Sequence, residues 1–225
     1  PTGNVIMTPT NSSNVGIFNT NTGTYSRVSF ASDGSAVPYY FGSVLLPDGR
    51  VVFIPNNTSN VGIYTPSTAT FSNVTVTISG KYAGGCLMPD GNVFMVPNGG
   101  NSSNACIYNP NLNTVSNVAG LNGTVVGGGG NAAGAVALPD GRILITPALN
   151  NSGGGFVIYN YKTGTWGAIS GLPGGIMYQN IVYLGGGTLL PDGRVIVTTG
   201  YGTGVLNFRT PAPREFCLHP FFNKF

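Results

Sequence analysis

Apolar residues run along this chain in short bursts rich in Val, Ile, Leu and Phe, and Pro, Gly, Asn, Ser and Thr bound each burst. Bursts of that length between turn residues read as β-strands. The second repeat shows the pattern in full. Phe41–Leu46 predicts a first strand, Pro47-Asp48-Gly49 a tight turn, and Arg50–Ile54 a second strand rich in β-branched residues. After the polar loop 55–60, Val61–Tyr64 predicts a third strand, Thr65–Ala69 another turn, and Thr70–Val74 a fourth. Four antiparallel strands in a row make one blade of a propeller.

The hairpin phrase recurs. Leu46-Pro47-Asp48-Gly49-Arg50-Val51, Met88-Pro89-Asp90-Gly91-Asn92-Val93, Leu138-Pro139-Asp140-Gly141-Arg142-Ile143 and Leu190-Pro191-Asp192-Gly193-Arg194-Val195 match one another, and Pro1-Thr2-Gly3-Asn4-Val5-Ile6 has the same form. Self-similarity at this period marks a repeat architecture. The expected fold is all-β, a β-propeller of about five four-stranded blades forming a single domain over 1–212. Its repeats cover about 1–30, 31–79, 80–120, 121–170 and 171–212, and a C-terminal tail covers 213–225. The first strand of each unit is rich in small residues, as in Ala83-Gly84-Gly85-Cys86 and Ala132-Ala133-Gly134-Ala135, which suits strands crowded around an axis. The first unit lacks this inner strand and the fifth has no recognisable outer strand. Either the tail or residues upstream of Pro1 would close the ring, and a start inside a turn predicts a piece of a longer polypeptide.

The second half of each unit resembles kelch repeats, where a Tyr is followed seven positions later by Trp across a Pro, Asn or Thr turn. The corresponding pairs here are Phe18 and Tyr25, Tyr64 and Phe71, Tyr108 and Val115, and Tyr159 and Trp166. The Leu-Pro-Asp-Gly-Arg hairpin is similar to that of kelch-type propellers, including the galactose-oxidase group. The chain departs from kelch after the second strand, where Ile54-Pro55, Val96-Pro97 and Thr146-Pro147 replace a Gly-Gly pair. Comparable repeats occur in virion and phage structural proteins, and the resemblance implies a structural or binding role.

Composition narrows the function classes. Only 7% of residues are charged and 41% are hydrophobic, so a core is affordable and the chain is not of the disordered kind. No run of 18 apolar residues predicts a membrane span. The nine basic residues are scattered, which argues against nucleic acid as a partner. Cys86, Cys106 and Cys217 match neither a disulfide framework nor a zinc site and read as buried free thiols.

Catalytic groups are sparse. Asp48, Asp90, Asp140 and Asp192 belong to the repeated turn, where Asp hydrogen-bonds the backbone that follows. Arg50, Asn92, Arg142 and Arg194 read as strand starts in preference to a ring of anion ligands. His219 is the single histidine, so no multi-histidine metal site or copper chemistry of the galactose-oxidase kind is expected. No catalytic residue, metal or cofactor is assigned. The enzyme alternative is a carbohydrate-active protein using Asp33 or Glu215.

Loop lengths carry the remaining signal. In a blade, the first-to-second and third-to-fourth turns share one end; the second-to-third loop and the links between blades share the other. The first set is nearly constant and the second varies, and function concentrates where loops vary over a rigid scaffold. The variable end offers Tyr39, Tyr40, Tyr82, Tyr178, Gln179, Asn57, Asn60, Asn101 and Asn104 as candidate contacts for a neutral glycan or a protein. Seven Asn-x-Ser/Thr sequons begin at Asn11, Asn56, Asn57, Asn73, Asn101, Asn122 and Asn150; Asn11, Asn57, Asn73, Asn101 and Asn122 are the glycosylation candidates. The expectation is a non-catalytic propeller displaying loops for binding or assembly on a virion, fibre or extracellular surface. A purely structural building block of a larger particle or filament is the alternative. The expected partner is a protein or glycan, in a longer polypeptide or larger assembly.

Overall fold

A computed structural model describes residues 3–31, 40–76, 81–98, 104–121, 132–147, 156–169, 184–199 and 202–207. These residues form five antiparallel sheets in a five-bladed β-propeller arrangement. Blade 1 contains β1 (Asn4–Met7), β2 (Asn14–Asn19) and β3 (Thr24–Ser29). Blade 2 contains β4 (Tyr40–Leu45), β5 (Val51–Pro55), β6 (Asn60–Thr65) and β7 (Thr70–Thr75). Blade 3 contains β8 (Tyr82–Leu87), β9 (Val93–Pro97), β10 (Ala105–Asn109) and β11 (Thr114–Val118). Blade 4 contains β12 (Ala132–Ala137), β13 (Ile143–Pro147), β14 (Val157–Asn160) and β15 (Thr165–Ala168). Blade 5 contains β16 (Leu184–Leu189), β17 (Arg194–Thr199) and β18 (Gly202–Asn207).

The second strands of blades 2, 3 and 4 are apolar at consecutive positions because both their faces are covered. Along β5, Val51 and Phe53 face blade 1, whereas Val52 and Ile54 face blade 3, and all four are buried. The cores therefore lie between blades. Ile6, Ile17 and Phe30 of blade 1 meet Val51, Phe53 and Tyr64 of blade 2. Val52, Ile54 and Ile63 meet Val93, Met95 and Tyr108 of blade 3. Phe94, Val96 and Leu121 meet Ile143, Ile145 and Tyr159 of blade 4, and Val136 and Leu144 meet Val195, Val197 and Leu206 of blade 5. The kelch-like aromatic pairs sit directly opposite one another across the last hairpin of each blade, as Tyr64 with Phe71 and Tyr159 with Trp166. They face the preceding blade: Phe30 stacks on Phe71 with ring centroids 3.9 Å apart, and the Trp166 Nε1–H donates to the Ala119 carbonyl at 2.8 Å.

Glycine is required where the inner strands touch. A Cβ on Gly42 would lie 3.0 Å from the Gly84 Cα, and one on Gly134 would lie 3.1 Å from the Gly186 Cα. Backbone cannot yield at such contacts as a side chain could. Each inner strand carries a register shift near this glycine, between Tyr40 and Gly42, Tyr82 and Gly84, Ala132 and Gly134, and Leu184 and Gly187. Blade 1 has no inner strand among the described residues, as the repeat alignment predicts. Leu45 on β4 is accordingly 53% exposed, whereas its counterparts Leu87 and Leu189 pack against the cores beside them. The proposed closure by the tail 213–225 lies outside the described residues.

Candidate binding face

The Pro-Asp-Gly end of the blades is self-satisfied. Oδ1 of Asp48, Asp90, Asp140 and Asp192 accepts the backbone N–H two residues on, at 3.0–3.1 Å. Oδ2 accepts from the side chain at that same position, Arg50, Arg142 and Arg194 through Nε at 2.7 Å and Asn92 through Nδ2 at 2.9 Å. Partial burial pushes the Asp48 carboxyl up, but the hydrogen bonds and charge of Arg50 together outweigh it and hold the group below its ordinary value. The third-to-fourth turns are equally occupied: Asn19, Asn109 and Asn160 accept backbone N–H groups of their own turns. Acid and base are thus paired within one turn, with the carboxylate already spent on structure.

At the opposite end, the second-to-third loops of blades 1 and 2 stitch each blade to the next. Thr10 Oγ1 donates to the Tyr40 carbonyl at 2.8 Å, and Asn56 Nδ2 donates to the Tyr82 carbonyl at 2.9 Å. Thr10 and Asn56 occupy the same repeat position, directly after Pro9 and Pro55, and each holds the start of the next inner strand. Sequence reasoning missed this role; the signal available to it was the shared position after the proline. Beyond the stitch the loops turn outward, leaving Asn11, Asn57 and Ser59 exposed and Thr58 half-buried. The exposed loop groups are hydroxyls and amides, with Lys81 the charged neighbour among the described residues of this end.

The candidate contacts separate on this geometry. Asn57 is exposed, Asn104 half-buried, and Asn60 buried at the start of β6 with its backbone N–H donating to Thr58 Oγ1. Tyr40 and Tyr82 are placed inside the seams instead of on the surface, which leaves neither ring for a ligand. The Tyr40 hydroxyl donates to Asn73 Oδ1 at 3.1 Å, tying the inner strand of blade 2 to its outer strand. In blade 3 the same link runs through a thiol, because Cys106 replaces Gly62: the Tyr82 hydroxyl lies 2.7 Å from Cys106 Sγ, which donates to Asn117 Oδ1 at 3.1 Å. Tyr39, Tyr178, Gln179 and Asn101 lie outside the described residues, as do Asp33 and Glu215 of the enzyme alternative and the sequons at Asn122 and Asn150. Asn73 lies within β7, and Asn56 is buried by its stitch to Tyr82.

Cys106 is a buried free thiol, as the sequence predicts, whereas Cys86 is a free thiol only half-buried against the core between blades 3 and 4, and Cys217 lies outside the described residues. Burial pushes the Cys86 thiol up to about 12 and raises Cys106 against the pull of the Tyr82 hydroxyl. Among the described residues, no three His, Cys, Asp or Glu side chains come together as a metal site.

No family model and no curated protein matches the chain. Solved structures do. Hydrazine synthase from Kuenenia stuttgartiensis aligns with a TM-score of 0.64 at 12% identity, over 88% of this chain and 52% of that one. Virginiamycin B lyase from Staphylococcus aureus aligns at 0.61 and 14% identity, over 96% of this chain and 72% of that one. The extracellular domain of BT4673 from B. thetaiotaomicron aligns at 0.64 and 11%, over 92% of this chain and 26% of that one. The chain thus spans about half or less of the first and third of these proteins. These neighbours bear out the propeller fold and not the kelch or virion resemblance specifically. Among the described residues no helix is long and apolar enough to cross a membrane.

Proposed function

We propose that the chain is a non-catalytic propeller module whose unequal second-to-third loops and blade links recognise a neutral glycan or a protein on a virion, fibre or extracellular surface. The contrast between the two ends of the blades carries this reading. One end is uniform and closed on itself by Asp–Arg and Asn turns. At the other, the loops of blades 1 and 2 spend Thr10 and Asn56 on stitching and leave Asn11, Asn57 and Ser59 exposed. Uncharged hydrogen-bonding groups on a rigid scaffold suit polyhydroxylated or peptide ligands better than phosphates or metals.

The non-catalytic part of the reading draws on where the acids lie, since four of the six carboxylates are turn residues with two hydrogen-bond partners each. The test is a glycan array and a pull-down with the intact chain, repeated with Asn57→Ala and Ser59→Ala combined. Binding that is weakened at least tenfold by this pair, with unchanged thermal stability, is the expected result. Absence of any ligand on both platforms, or binding indifferent to the loop, overturns the recognition reading.

A further inference from the structure

We infer that the Asp90–Gly91 bond is a site of spontaneous backbone rearrangement to isoaspartate, distinguished from the other Pro-Asp-Gly turns by Asn92, which stands where they carry arginine. The four turns form an internal comparison. Each glycine N–H donates to the carbonyl of the residue before the proline, Gly49 to Leu46, Gly91 to Met88, Gly141 to Leu138 and Gly193 to Leu190, at 2.9–3.0 Å. Each glycine also has a φ between +83° and +89°. Few other residues adopt this conformation, and glycine presents the least hindered backbone nitrogen to the aspartate before it.

The carboxylates are not equivalent. Asp48, Asp140 and Asp192 each accept from a guanidinium Nε at 2.7 Å, and Nη2 of Arg50 and of Arg142 closes on the same oxygen at 2.7 and 2.6 Å. Asp90 accepts from the neutral Asn92 amide at 2.9 Å instead, and among the described residues no cationic side chain lies within ion-pair distance of it. Cyclisation onto the backbone needs the carboxyl in its neutral form, because a carboxylate has no leaving group. An arginine beside the group opposes that protonation more strongly than an amide does. Asp48 is the matched control. Both acids are exposed, both hairpins belong to blades with a core on each side, and a Cβ on Gly49 or Gly91 would meet nothing within 4 Å, whereas Gly141 lies under the Tyr161 ring.

The reaction balances with water alone. The Gly91 nitrogen leaves the Met88 carbonyl, loses its proton and attacks Asp90 Cγ; the carboxyl hydroxyl departs with a proton as water, and a cyclic succinimide remains. Water then adds to either ring carbonyl. Opening at Cγ restores aspartate, and opening at the α-carbonyl routes the main chain through Cβ and Cγ as isoaspartate. The product keeps the mass of the chain and gains one main-chain carbon. That carbon falls in the turn between β8 and β9, where the Asn92 N–H holds Asp90 Oδ1 at 3.0 Å and the Met88 N–H reaches the Asn92 carbonyl at 2.8 Å. The reaction belongs to the Pro-Asp-Gly end and is independent of any ligand at the loop face.

The test is incubation of the intact folded chain at about pH 5, where an ordinary carboxyl is still partly protonated. Proteolysis and fragmentation that separates isoaspartate from aspartate then report on the peptides spanning Asp48 and Asp90. Wild type should accumulate isoaspartate at Asp90 about tenfold faster than at Asp48, the order of effect expected when a neutral hydrogen bond replaces a charge-assisted one. Asn92→Arg should lower the Asp90 rate to that of Asp48, and Arg50→Asn should raise the Asp48 rate to that of Asp90; each introduces a residue that another repeat already carries there. The comparison within wild type requires no variant to fold. Equal rates at the two sites, no isoaspartate at Asp90, or rates indifferent to either exchange in variants that keep their thermal transition overturn the inference.

Discussion

Asn56 and Asn57 begin overlapping sequons, yet the structure treats them in opposite ways. The Asn56 amide nitrogen, the atom that would carry a glycan, is buried and donates to the Tyr82 carbonyl, while Asn57 is exposed. Expression through a eukaryotic secretory pathway should therefore give glycan at Asn57 and none at Asn56, read by mass spectrometry of the peptide spanning both. The Cys86 thiol supplies a second residue-level prediction. Its folded value of about 12 lies above the 9.0 of the free group, so above pH 9 the folded chain keeps a proton that the unfolded chain loses. The sign of the linkage is then fixed: stability is unaffected below the lower value and falls as pH rises through the interval between them. Denaturant unfolding across that interval should show a shallower decline for Cys86→Ala than for wild type. Peptide mapping should also find Cys86 slow to alkylate in the folded chain at neutral pH, because the reactive thiolate is suppressed.

Inner strands pack through backbone, so the same substitution should have unequal effects along them. Gly134→Ala forces a Cβ to within 3.1 Å of the Gly186 Cα, where a strand must shift. Overpacking of this kind costs about 1–3 kcal/mol. Gly186→Ala meets nothing within 4 Å and should leave stability within about 0.5 kcal/mol of wild type in dilute solution. Urea midpoints of the two variants decide this, and equal losses would mean that the glycines answer to backbone conformation instead of contact. The turns, the strand order and the small inner strands were legible in the sequence because each is set within a few residues: Asp48 meets Arg50 two positions away, and Tyr64 meets Phe71 across one hairpin. The fate of Tyr40 and Tyr82 was not. Each stands where a link enters an inner strand, and only the packing of one blade on another decides whether its ring points outward or into the seam. Thr10 and Asn56 escaped notice for the same reason, since their partners lie 30 and 26 residues further on.

Stability in a chain of stacked blades is approximately a sum of seams between neighbours. Blades 2, 3 and 4 share two core-bearing seams each, whereas blades 1 and 5 each share one among the described residues. The ends should therefore open without the middle. Native-state hydrogen exchange should find the slowest amides in β9 and β13, buried on both faces, and faster exchange in β1–β3 and β17–β18. Trp166, the one tryptophan, reports from the seam between blades 3 and 4 through its bond to Ala119, so its fluorescence should change only in the global transition, after the end blades have exchanged. Uniform protection across all five blades would instead show that the arc unfolds as one unit and that the exposed faces of Val5, Met7 and Val205 leave the end blades no weaker than the middle.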